Sequence, residues 1–197
     1  MPRPSQIDEQ RRKLLPIICQ VFSERGYRRT TTAELAERCA VRENILYRLW
    51  PDKKAMFLAA IDDIFRQRAE KWGLILRGGA RPDVAAARLV AYEAKHQGEF
   101  GFYRVVFTAL AETDDADMRS ALIDMYRRFQ RLLKRHIEET RSEQGRPFGL
   151  TAEACAWGLI GLATVSNIAR ELELLGPRER EQMFAAVAQH LVEGTAG

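Results

Sequence analysis

The sequence predicts an all-α protein, on three observations. Apolar residues recur at intervals of three and four through most of the 197 residues. Nothing reads as strand. Clusters rich in Gly, Pro, Asp and Arg cut the periodic stretches into pieces of helix length. Leu14, Ile18, Val21 and Phe22 form the first stripe, ended by Gly26 with Tyr27 beyond it. Thr31 and Glu34 then stand at capping-box spacing before a short helix that buries Leu35, Ala36 and Cys39. After a tight break at Ala40-Val41, a second short helix runs from Arg42 to Trp50. Pro51 stops it, and Asp52 is placed to cap a long helix reaching about Arg77. Further helices are predicted over 83–97, 100–112, 115–143, 151–175 and 177–193. Breaks between them fall at 77–82, at Gly98 and Gly101, at 113–115, at 144–147 and at 175–177. The total is about nine helices: a three-helix helix-turn-helix domain over 1–52 and a helical bundle over 53–197.

Composition narrows the function classes. Residues 1–55 hold 12 Lys/Arg against 7 Asp/Glu, and the remainder hold 19 against 20, so the net charge of +4 sits in the first quarter. A basic end on a neutral body suits a polyanion. The three cysteines are far apart and form neither a disulfide framework nor a metal knuckle. No secretory leader is read at the start. The longest uncharged stretch, 154–169, is shorter than the ~20 apolar residues of a membrane span. A soluble, cytoplasmic protein with no membrane partner is expected. Catalytic signatures are lacking: no Gly-rich phosphate loop, no HExxH and no GxSxG, with His96, His136 and His190 on three separate helices. The expectation is therefore no enzyme, no metal and no cofactor.

Two short helices joined tightly on a basic segment suggest a DNA-reading pair, provided the second keeps one face bare. At 100° per residue, Ile45, Leu46, Leu49 and Trp50 share one side, and Glu43, Asn44, Tyr47 and Arg48 share the other. The polar set can hydrogen-bond to base edges or phosphates: Arg42 or Arg48 suits guanine, Asn44 adenine and Tyr47 a phosphate. Periodicity alone also fits an ordinary amphipathic surface helix.

The stretch from Gly26 to Lys54 resembles the N-terminal domain of the TetR family of bacterial transcriptional regulators. Gly26, Tyr27, Thr30, Thr31, Leu35, Ala36, Val41, Leu46, Tyr47 and Lys53 match the family's pattern in register and without a gap. Arg42 departs from it in place of a capping Ser, Asn44 in place of a small residue, Ile45 in place of a Thr and Trp50 in place of a Phe. The resemblance implies that Thr31, Thr32 and Lys53 hold phosphates and that Arg42, Glu43, Asn44 and Arg48 read sequence. It also implies a homodimer on palindromic double-stranded DNA, acting as a repressor released by a small apolar or aromatic effector. The dimer interface is expected from Trp157, Leu159, Ile160, Leu162, Phe184, Val187 and Leu191 on the last two helices, the first of which is apolar nearly all round. Trp72, Tyr92, His96, Tyr103, Phe107 and Tyr126 are the candidate effector-binding residues. A ligand-independent regulator of the same fold and a helical protein-interaction module stand as alternatives.

Overall fold

The computed structural model describes residues 6–76, 82–96, 101–142 and 149–193. Among them lie nine helices and no strand: α1 Gln6–Arg29, α2 Thr32–Arg38, α3 Glu43–Leu49, α4 Lys53–Leu76, α5 Pro82–His96, α6 Phe102–Leu110, α7 Ala116–Ser142, α8 Ala152–Glu171 and α9 Pro177–Glu193. The helix ends expected at 77, 97, 100 and 143, and the breaks at 77–81, 98 and 144–147, lie outside the described residues. Asp52 caps α4 as expected, accepting from the Ala55 amide at 2.7 Å, and Thr151 caps α8, accepting from Ala154 at 3.1 Å. The largest difference from expectation is at α8, which stops at Glu171 rather than 175, because Leu172 ends it and Glu173 turns into the left-handed region at φ 54°.

Packing gathers the chain into two compact units, through both of which α4 and α7 pass. The first holds residues up to Arg66 together with 100–125; the second holds 67–99 and 126–197. These units divide the chain differently from the functional domains expected at 1–52 and 53–197, since α6 and the start of α7 pack with the N-terminal helices.

In the first unit the stripe of α1 is wholly buried at Ile18, Val21 and Phe22, beside Leu35, Leu46, Leu49, Met56 and Phe57. Phe22 meets Phe57 edge-on at 4.8 Å between ring centroids, and Tyr27 lies 4.9 Å from Phe57. Such rings carry much of a small core, about 1.5–3 kcal/mol for each large side chain taken out of water. Gly26 breaks α1 at φ 75°, ψ 171°, a conformation open essentially to glycine alone, and one more turn follows it. The helix break read at Gly26 is therefore real. Thr30, itself buried, donates to the Gly26 carbonyl at 2.7 Å.

Helix α6 lies along α1. Ser23 donates to the Gly101 carbonyl at 2.9 Å, and Arg28 grips Glu112 through two nitrogens at 2.7 and 3.1 Å. Lys54 binds Asp115 at 3.2 Å and also Asp117, joining the first turn of α4 to the first turn of α7. Asp115 caps α7 by accepting from the amides of Asp117 and Met118. A fully buried carboxylate, Asp63, is paired with Arg66 and accepts weakly from the Cys19 thiol at 3.9 Å; burial pushes that thiol's pKa up.

The second unit is built on Trp72, Leu89, Leu133, Ile137, Cys155, Ala156, Leu159, Phe184, Ala188 and Val192. Glu93 is buried there and accepts from the Trp72 indole at 2.8 Å and from Arg68 at 3.0 Å. Gly158 lets α9 approach α8: a Cβ there would stand 3.2 Å from Leu191 Cδ1. Arg141 closes the far end, donating to the carbonyls of Leu150 and Leu191. By length and composition alone α8 could cross a bilayer, with mean hydropathy 1.2 in its most apolar window. Its Cys155, Ala156 and Leu159 are nonetheless packed in this unit's core, as a core helix requires.

The Asp115 cap gives a pH prediction. The Met118 amide and then the Lys54 ammonium hold its carboxyl below the ordinary value of 3.8. A depressed folded-state pKa means its contribution is complete above 3.8 and is lost as pH falls through the lower folded value. Urea unfolding from neutral pH downward is expected to show a stability drop on the acid side. Asp115→Asn is expected to lower stability at neutral pH and to shrink that drop.

Candidate nucleic-acid interface

The head of the first unit presents α2 and α3 around a four-residue turn. Thr31 caps α2 from extended backbone and accepts from the Glu34 amide at 3.2 Å, one half of the expected capping box. The other half is absent, because the Glu34 carboxylate pairs with Arg25 at 3.0 Å instead of reaching back. Within the turn Ala40 sits at φ 53°, left-handed backbone that the family pattern gives to glycine. Ala40 is exposed, so its strain is one of backbone and not of packing.

Helix α3 divides as its periodicity predicts. Leu46 and Leu49 are buried to within 1%, and Trp50 ends the helix at 5% exposure. Arg42, Glu43, Asn44, Tyr47 and Arg48 are exposed, while Ile45 is half-buried. Arg42 occupies the N-cap with no side-chain hydrogen bond to the helix, as its replacement of Ser implies. Among the described residues the side chains of Arg42 and Asn44 have no hydrogen-bond partner, so both are available to a ligand.

The other expected contacts are partly engaged within the head. Thr32 donates to Glu43 Oε2 at 2.8 Å and accepts from the Tyr47 hydroxyl at 3.1 Å. Within this network Glu43 accepts from α2 and lies at the N-terminus of α3, where negative charge is favoured. Arg48 donates to Gln10 at 2.8 Å. Lys53 is the clearest departure. Its ammonium donates to the carbonyls of Tyr27 and Thr30 at 3.0 and 2.9 Å and lies 4.6 Å from the Tyr27 ring centroid. Two of its three donors therefore close the end of α1, a role that no motif announces. Sequence reading also passed over Gln10 and Arg11 of α1, which meet the last turn of α3 across 38 residues of chain; local periodicity carries no signal of so distant a pairing.

The expected effector-binding residues fall in both units. Trp72, Tyr92, His96 and Tyr126 belong to the second, and Tyr103 and Phe107 to the first. Trp72 is committed to Glu93. Tyr92 stacks on His96 at 4.3 Å, and His96 Nδ1 donates to the Tyr92 carbonyl at 2.8 Å. Tyr103 and Phe107 meet edge-on at 5.8 Å, and burial raises the Tyr126 hydroxyl pKa. A small hollow of about 170 Å³ between α5, α7 and α9 is lined by Ala86, Val90, Thr140, Ala185 and Val192 among others, and by none of these six.

The expected dimer residues also separate. Leu159 and Phe184 are buried in the chain's own core at 9% and 4% exposure, in the seam between α8 and α9. Ile160, Leu162 and Leu191 are half-buried against the same core. Trp157 and Val187 are exposed at 46% and 42%, and Val165, Ile168 and Leu172 continue the outer face of α8.

Residues 18–60 match the model of the bacterial regulatory proteins of the tetR family. Across α2, α3 and the adjoining parts of α1 and α4, the chain is of TetR-family type. Over 64 residues it is 39% identical to nucleoid occlusion factor SlmA of Pasteurella multocida (strain Pm70), a match covering 32% of each chain, so it spans about a third of that relative's length. Among solved structures, a TetR-family transcriptional regulator from Rhodococcus sp. superposes with TM-score 0.80 at 14% identity, covering 94% of this chain and 99% of that one. A transcriptional regulator from Saccharomonospora viridis, solved in complex with choline, gives TM-score 0.77 at 20% identity, covering 93% and 97%. At such identities the likeness is one of fold, and it extends over nearly the whole chain.

Two outcomes follow from the TetR-family head. Ala40→Gly is expected to raise stability by about 1 kcal/mol in urea unfolding, since it relieves left-handed backbone without touching the reading face. Lys53→Ala is expected to cost about 1–3 kcal/mol in the same measurement, because two carbonyls lose a charged donor. It is expected to leave the salt dependence of DNA binding unchanged, whereas loss of a phosphate contact would lower that slope by about one.

Proposed function

We propose that the protein is a homodimeric DNA-binding transcriptional repressor that reads a palindromic operator and is released from it by a small apolar or aromatic effector. The observation that carries the reading is the bare polar face of α3, with Arg42 and Asn44 unpartnered and Tyr47 and Arg48 exposed on the same side. Arg42 and Arg48 are suited to guanine edges and Asn44 to adenine, while Thr31, Thr32 and Tyr47 are proposed as phosphate contacts, the Thr32 and Tyr47 hydroxyls turning from their mutual network to donate to DNA. Glu43 and Lys53 are assigned to holding the head together.

One seven-residue helix offers too little surface for specific binding. Two copies related by a two-fold axis read two half-sites about one helical turn, ~34–36 Å, or a multiple of it apart. The exposed stripe of Trp157, Val165, Ile168 and Leu172, beside Val187, supplies an apolar face for that pairing. For the effector, support comes from two buried polar atoms in α8, Ser166 Oγ and Asn167 Oδ1, which lack a hydrogen-bond partner. The choline complex of the Saccharomonospora viridis protein supports a ligand-responsive reading as well. A second reading, a DNA-binding regulator of this fold that needs no effector, is favoured by the hollow of the second unit being lined by none of the six expected effector residues.

In vitro selection of bound DNA tests the main reading. A near-palindromic consensus is expected, with affinity falling steeply as salt rises; a pool with no consensus sinks it. Asn44→Ala and Arg48→Ala are expected to relax the consensus at separate positions, each costing about 1–3 kcal/mol on the preferred site. Val165→Glu combined with Ile168→Glu is expected to give monomers in sedimentation and to weaken operator binding at least tenfold. A metabolite screen by thermal shift separates the two readings of control: stabilisation by a small apolar compound supports the effector, and its loss in Ser166→Ala places the compound at α8.

A further inference from the structure

We infer that Arg11 is a positioning residue for sequence reading: its guanidinium fixes the rotation of α3 about its own axis and thereby the direction in which Asn44 and Arg48 point. The inference rests on α3 being the DNA-reading element. A helix of seven residues has two turns and little stability of its own. Its buried anchors, Leu46 and Leu49, are three residues apart and form a single ridge, about which so short a helix can roll. Something off that ridge must set the angle.

Arg11 is built to do this. Its Nε donates to the Leu49 carbonyl at 2.9 Å, and Nη2 donates to the same oxygen. That carbonyl is left over by the helix, whose last bond runs from the Trp50 amide to Leu46, because Pro51 has no N–H with which to continue the ladder. A fixed cation there also opposes the partial negative charge of the helix C-terminus. The guanidinium carbon lies 5.9 Å from the centroid of the Trp50 ring, which is itself buried. One planar group thus grips both the carbonyl and the indole that follow the last turn, and the neighbouring Gln10 holds Arg48 of that turn at 2.8 Å. A lysine would bring the charge without the fork or the flat face. Trp50, where the family pattern has Phe, gives the cation the aromatic partner it favours most.

The test compares Arg11→Ala, Arg11→Lys and Trp50→Phe in the full chain, with Arg12→Ala as the neighbouring-charge control. Binding is measured to the selected operator and to unrelated DNA across a salt series, and helix content is followed by circular dichroism. For Arg11→Ala and Arg11→Lys alike, the ratio of operator to unrelated-DNA affinity is expected to fall about tenfold or more. The salt slope on unrelated DNA is expected to stay within error of the wild type, and Trp50→Phe to cause a smaller fall in the ratio. Should Arg11→Ala fold poorly, Arg11→Lys and Trp50→Phe carry the same test. Full rescue by lysine, with a slope lowered by about one in Arg11→Ala, identifies a phosphate contact and overturns the positioning role. Unchanged ratios in all three variants overturn it outright. A wild type without operator preference overturns the DNA-reading assignment itself, an outcome visible before any variant is examined.

Discussion

Everything functional in the N-terminal unit depends on how a two-turn helix is seated. Leu46 and Leu49 go into the core formed by Ile18, Val21, Phe22, Leu35 and Phe57, and this burial is what leaves Arg42, Asn44, Tyr47 and Arg48 outside. An isolated helix of that length does not persist in water, so the reading face exists only because its opposite face is apolar and already covered. The same arrangement explains why side chains around it are used as fasteners. Lys53 closes the end of α1, Glu43 and Tyr47 meet on Thr32, and Arg11 holds the last carbonyl of α3.

The head is not a free-standing module in this chain. Helix α6 and the start of α7 pack with α1, through Ser23 on the Gly101 carbonyl, Arg28 on Glu112 and Lys54 on Asp115 and Asp117. These ion pairs are largely exposed, so each contributes modestly and is weakened by salt. Their number and their spread over two helix starts matter more than the strength of any one. The C-terminal unit follows a different logic: an apolar α8 gives one side to α9 and leaves Trp157, Val165 and Ile168 exposed on another.

Much of the fold was legible because the signals are local. Gly26, Thr31 and Asp52 mark helix ends through conformations or hydrogen bonds that span at most three residues, and each acts as read. The amphipathic split of α3 was legible for the same reason, since a helix repeats within its own length. One local reading failed where a distant residue offered a better partner: Glu34 pairs with the Arg25 guanidinium and leaves its own cap. Lys53 likewise finds two carbonyls at the end of α1, a pairing that its neighbours in sequence do not announce. Leu159 and Phe184 show the limit for apolar residues: periodicity says that a face is buried, not whether the same chain or another copy buries it.

From its order of residues alone, this chain settles an all-helical architecture, a pair of short helices between Thr31 and Trp50, and which side of the second helix is greasy. Hydrophobic period and capping chemistry act between neighbours, and neighbours are written side by side. Tertiary structure alone decided that Arg11 meets Leu49, that α6 lies on α1, and that Glu93 is buried beneath Trp72. Those pairings join groups far apart along the backbone, chosen by the shape and charge of surfaces that come into being only once the helices have packed.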